Sequence, residues 1–131
     1  MRVFVDTNIW ISLFLGFERL SEIIEDCYFQ HTLLTSNGII RELESVLTKK
    51  MNYTTSEIHP AIGFVRQRAE AVEEEKSFKI DVCRDPADNH VLSAAQNGNA
   101  DCILTGDDDW LSLKRFNKVT ILSPREFRDW I

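Results

Sequence analysis

Short β-branched and aromatic runs alternate with longer amphipathic stretches along this chain, and that alternation predicts its fold. Arg2 to Val5 is a run suited to a buried strand. A mostly apolar helical stretch follows through Trp10 and Phe14, then a second helix around Glu18 to Cys27. Thr32 to Thr35 is the next strand, and Ile39 to Lys49 is a helix with Ile39, Ile40, Leu43, Val46 and Leu47 on one face. Thr54 to Glu75 reads as a longer helical region in which Pro60 is the natural breaking point. Its Ile58, Ile62, Val65, Ala69 and Val72 recur at four- and three-residue steps, as on an amphipathic helix packed on a sheet, and Glu73 to Glu75 reads as its solvated end. Phe78 to Val82 is a weak strand, and Pro86 to Asn97 is a helix closed by Asn97-Gly98. Asp101 to Thr105 and Val119 to Leu122 are strands, and Pro124 opens a C-terminal helix at its first position.

Strands separated by helices predict a three-layer α/β/α fold with a central, mainly parallel sheet of about five strands. The 131 residues contain no repeat, low-complexity tract or linker, so residues 1–131 are expected to form one domain. In such sheets ligands sit beyond the carboxyl ends of the strands. Those ends are where chemistry is to be sought.

Composition narrows the class. Hydrophobic residues make up 44% and charged residues 27%, which is ordinary globular usage and argues against disorder. The longest apolar run, Ile9 to Phe17, is interrupted by Ser12 and Gly16 and is too short to span a bilayer. MRVFVDTN leads directly into a strand without a charged-then-apolar leader, so no signal peptide and no membrane association are expected. Cys27, Cys83 and Cys102 are odd in number and lack a CxxC pair, which favours buried thiols in a reducing, cytoplasmic compartment over zinc or disulfides. The net charge of −6 opposes the basic excess usual in nucleic-acid binders, unless metal neutralises several carboxylates.

Four acids stand out by position. Asp6 directly follows the first strand, although it could equally be a helix N-cap, as could Thr7 or Asn8. Asp88 stands at the third position of a helix, where an acid suits the dipole, yet it aligns with Val91, Leu92 and Ala95 on the apolar face. An ionised carboxylate directed at a core needs a cation or good donors. Glu42 borders the apolar stripe of its helix near Ile39 and Val46, where an acid is usually solvated. Asp107 lies in TGDDDW, Thr105 to Trp110, an acidic turn beyond the strand Asp101 to Leu104. Carboxylates converging at one strand-end cleft require a counter-cation, and hard oxygen donors suit Mg²⁺ or Mn²⁺ better than zinc. His90 is directed away from its helix's apolar face and reads as a surface histidine.

At these residues the chain resembles the PIN-domain family, in particular the small PIN toxins of prokaryotic toxin–antitoxin pairs. The matching blocks are VDTN at Val5 to Asn8, IIREL at Ile39 to Leu43, RDPADNHVLSAA at Arg84 to Ala95, and ILTGDDDWL at Ile103 to Leu111. The resemblance implies a PIN-like fold and a Mg²⁺- or Mn²⁺-dependent endoribonuclease. It also implies a homodimer inhibited by a cognate antitoxin. It carries the family acids onto Asp6, Glu42, Asp88 and Asp107, the supporting polar positions onto Asn8 and Thr105, and an additional acid onto Asp109. Asp6, Asp88 and Asp107 would hold the metal, with Glu42 completing its outer shell or orienting the attacking water. Ala87 and Asn89 stand where relatives often carry further acids, which leaves a second metal less firmly supported.

Lys49-Lys50, Arg66, Arg68, Arg84 and Lys114-Arg115 are the bases available to phosphates. An apolar patch around Trp10, Phe14 and Phe17 is expected to be only partly used by the core, leaving a surface for a second subunit or an antitoxin. A receiver domain is disfavoured, because a single acid follows the first strand and Lys118 precedes the last one. The competing reading is a non-catalytic PIN-like module that binds RNA or protein without cutting.

Overall fold

A computed structural model of the chain describes residues 1–74 and 89–130. Strand β1 (Arg2–Val5) lies at the centre of the sheet, and Val3, Phe4 and Val5 are all fully buried. Successive strand residues point to opposite faces, so burial of all three means that both faces of the sheet are covered. Helices α1 (Thr7–Phe14) and α2 (Glu18–Gln30) follow, then β2 (Thr32–Ser36), α3 (Asn37–Lys49) and α4 (Thr55–Arg68). The chain continues as β3 (Ala69–Val72), and resumes with α5 (Asn89–Asn97), β4 (Cys102–Leu104), α6 (Asp108–Leu111), β5 (Arg115–Phe116), β6 (Val119–Leu122) and α7 (Pro124–Trp130).

The sheet order is β3-β2-β1-β4-β6-β5, parallel throughout except for the β5/β6 pair. Phe4 is in register with Leu34 on one side and Ile103 on the other. The chain first builds outward from β1 through β2 and β3, then returns to place β4 on the opposite flank. A reversal of this kind opens a crevice between the carboxyl ends of β1 and β4.

Three expectations are corrected. The helical region from Thr54 does not reach Glu75. It stops at Arg68, and Ala69 to Val72 pair with β2, with Leu33 opposite Ala69 and Ser36 opposite Val72. Ala and Glu are good helix formers, but the unpaired edge of β2 offers ladder hydrogen bonds that local propensity does not weigh. Pro60 lies inside α4 without ending it. It removes one backbone donor early in the helix, while the capping box of Thr54 and Glu57 secures the start. The short hairpin of β5 with β6 adds an unexpected strand, giving six among the described residues. The expected strand at Phe78 to Val82, and the first residues of the helix expected from Pro86, lie outside the described residues.

Trp10 is fully buried and packs edge-on against Phe64, which Phe14 also meets edge-on. Of the expected apolar patch, Trp10 is thus part of the core, Phe14 is partly buried, and Phe17 is 57% exposed beside Leu15 at 60%. Arg68 is likewise not available to phosphates. Its guanidinium pairs with Glu25 and lies 3.7 Å from the Phe64 ring centroid. Among the described residues no helix is long and apolar enough to cross a membrane.

Candidate active site

Asp6 stands where β1 ends and α1 begins. Its backbone N–H donates to the Leu104 carbonyl at 3.0 Å, which joins the ends of β1 and β4. Its side chain caps α1, with Oδ1 accepting the Thr7 N–H at 2.8 Å, and Oδ2 accepts the Thr105 hydroxyl at 2.8 Å. The N-cap reading and the functional reading of Asp6 are thus compatible, because two different oxygens serve them. Only 6% of Asp6 is exposed.

Thr105 is fully buried at the end of β4. Its hydroxyl oxygen, besides donating to Asp6, accepts the Asp107 N–H at 3.1 Å and the Asn8 side-chain amide at 3.5 Å. Asn8 in turn accepts the Gly106 N–H through Oδ1 at 3.1 Å. Asn8 and Thr105 therefore shape the TGD turn from both sides. Asp107 caps the short helix α6, its Oδ1 accepting the Asp109 N–H at 2.9 Å, and Asp109 itself is exposed.

Glu42 reaches the same place from α3. Its Oε2 accepts the Thr7 hydroxyl at 2.8 Å, and its Oε1 is hydrogen-bonded to His90 Nε2. Thr7 consequently holds two carboxylates at once, Asp6 through its N–H and Glu42 through its hydroxyl. Burial pushes the Glu42 carboxyl upward, but hydrogen bonds from His90 and Thr7, with the charge of His90, outweigh it and hold the group below its ordinary 4.5.

Asp88 lies outside the described residues. Asp6, Glu42, Asn8, Thr105 and the Asp107 backbone form one connected network at the carboxyl end of the sheet. Among the described residues, no three His, Cys, Asp or Glu side chains are grouped closely enough to hold a metal ion.

The histidine was misread from the sequence. His90 is half-buried, bonded to Glu42, and its Nδ1 lies 3.8 Å from Glu74. Helix α5 packs on α3 as well as on the sheet, so the side of α5 that leaves the apolar face meets a polar border rather than water. Glu74 was missed for the same reason. It follows β3 instead of ending a helix, and its Oε1 accepts the Gly38 N–H in the first turn of α3 at 2.9 Å. One signal could have found the pair: an unexplained border acid on α3 and a histidine beside the third acid need each other's hydrogen bonds.

A family model described as a PIN domain matches residues 2–109. The fold is similar to that of VapBC2 from Rickettsia felis, in a crystal structure bound to a DNA fragment from their promoter. That match has 16% identity and a TM-score of 0.69, covering 94% of this chain and 98% of that one. It is also similar to VapBC-1 from nontypeable Haemophilus influenzae, at 16% identity and a TM-score of 0.67, covering 95% and 99% of the two chains. A comparison with curated proteins finds no match. Because the PIN model spans the strand-end network from Asp6 to Asp109, and most of the chain with it, this protein belongs to the PIN-domain family of nucleases.

Proposed function

We propose that the protein is a metal-dependent endoribonuclease that hydrolyses RNA phosphodiester bonds as the toxin of a toxin–antitoxin pair. The observation that carries this reading is the convergence of Asp6 and Glu42 on Thr7, beside the Thr105 to Asp107 turn. A carboxylate as buried as Asp6 favours a nearby cation. Oxygen donors from Asp6, Asp88 and Asp107 fit Mg²⁺ or Mn²⁺.

An ion held by these residues would supply a more acidic bound water and offset charge on the phosphate. The chain's own residues do the positioning. Thr7 and Thr105 fix the Asp6 carboxylate, and Asn8 and Thr105 hold the turn that presents Asp107 and, beyond it, Asp109. Glu42, held ionised and weakly basic, suits orientation of the attacking water by accepting its hydrogen bond better than removal of its proton.

The two structures named above are of VapBC proteins, which supports a cognate antitoxin as partner. A homodimer is part of the same proposal. Tyr28 and Phe29 near the end of α2, 40% and 78% exposed with ring centroids 5.4 Å apart, supply apolar surface for one. The setting proposed is the cytoplasm, where RNA is at hand. The test is incubation of the purified protein with RNA and with DNA of the same sequence, in Mg²⁺, Mn²⁺ or EDTA. Cleavage of RNA alone, with either metal and not with EDTA, is expected. No cleavage under any condition would favour the non-catalytic binding module instead.

A further inference from the structure

A groove of about 620 Å³ runs from the TGD turn between α1, α2 and α7, lined by Ile9 and Ser12 of α1, Gly106, and Arg19, Arg125 and Arg128. Phe17 also lines it and is 57% exposed. Arg125 and Arg128 are three residues apart on α7, so their side chains rise from one side of that helix, facing Arg19 at the start of α2. Phe127, 1% exposed, anchors α7 on the core and fixes that side outward. All three arginines are exposed, and among the described residues none of them is in an ion pair. Glu22 and Asp26 border an adjoining depression that shares Arg19 and Arg128, and they do not line this groove.

Three exposed guanidiniums lining one groove, none of them in an ion pair among the described residues, give a chain of net charge −6 a local surface that suits an anion. Gly106, whose N–H donates to Asn8 of the candidate site, is among the residues that line the groove. An exposed aromatic ring among arginines is the combination that binds single-stranded nucleic acid, with cations on the backbone and a stacking surface for a base. An acidic peptide would use the charges but leave Phe17 without a role.

We propose that this groove is the exit path of single-stranded RNA from the candidate active site, with Arg19, Arg125 and Arg128 on successive phosphates and Phe17 under a base. The proposal rests on the ribonuclease reading and adds the surface that engages substrate beyond the scissile bond. The experiment measures equilibrium binding of a short single-stranded RNA by fluorescence anisotropy in EDTA, so that nothing is cut. It compares wild type with R19A/R125A/R128A, Phe17→Ala and a control, Lys118→Ala, all outside the core and away from the carboxylates.

Each phosphate contact on a single strand contributes about 0.7 to the slope of log affinity against log salt, so losing three lowers the slope by about 2. Between 50 and 200 mM salt the wild type should therefore weaken about 20-fold more than the triple variant. Phe17→Ala should weaken binding at least about fivefold, and the lysine control should match wild type. Wild-type affinity or salt slope in the triple variant would overturn the proposal, as would undetectable RNA binding by the wild type. Loss of poly-glutamate binding with RNA binding retained would also overturn it, assigning the groove to an acidic peptide. Failure of the ribonuclease reading is recognised separately, as RNA binding through the groove without cleavage when Mn²⁺ is added.

Discussion

The Thr105 hydroxyl donates a 2.8 Å hydrogen bond to the Asp6 carboxylate across the ends of the neighbouring strands β1 and β4. Both residues are buried, and the same hydroxyl oxygen accepts the Asp107 N–H. One small side chain thereby sets the orientation of one acid and the position of another. Thr105→Val keeps the shape but removes these two bonds and the longer one from the Asn8 amide, leaving the Asp6 carboxylate beside a methyl group. The expected cost is about 1.5–3 kcal/mol, the range for a hydrogen bond to a charged group. A urea unfolding series checks this, with Thr105→Ser expected to stay close to wild type.

Glu42 makes the site's stability depend on acid. Its folded pKa lies below 4.5, so the stability it contributes is present above pH 4.5 and is lost as pH falls through the lower folded value. His90→Ala removes a hydrogen bond and a charge that hold the pKa down, leaving burial, which raises it, opposed by the Thr7 hydrogen bond alone. The carboxyl carbon resonance of Glu42 should titrate below pH 4.5 in the wild type and at distinctly higher pH in His90→Ala. An unchanged midpoint would show that the Glu42–His90 bond does not govern ionisation.

Gly38 is required by close approach. A Cβ there would lie 2.6 Å from His90 Nδ1 and against Glu74 Oε1. Both neighbours are side-chain ends that can move aside, so Gly38→Ala should disturb the site more than the fold. The expected result is a melting temperature within a few degrees of wild type, a change of about 1 kcal/mol or less, with a perturbed His90 ring resonance. A large loss of stability without any change at His90 would contradict it.

The central strands and the strand-end positions of Asp6 and Thr105 were legible because burial leaves a direct record: continuous apolar runs followed by polar residues where the chain must turn. The end of α4 was not legible. Ala69 to Val72 fits a helical repeat as well as a strand, and only the free edge of β2 decides between them. His90 and Glu74 were misread because each was judged against its own segment, whereas their partners lie on α3. Contacts between elements far apart in sequence are what periodicity cannot register. The groove arginines illustrate it too, since Arg19 and Arg128 meet only when α2 packs on α7.

The most direct test of the metal-dependent ribonuclease proposal is the RNA cleavage rate of Asp6→Asn beside wild type, each with Mn²⁺ and with EDTA. Asparagine caps a helix about as well as aspartate, so the start of α1 should survive the change. What is removed is the negative charge at the end of β1. The account predicts that the wild type cuts RNA with Mn²⁺ and not with EDTA, and that Asp6→Asn, still folded, cuts no faster with Mn²⁺ than the EDTA control. Cleavage by Asp6→Asn at the wild-type rate would contradict it.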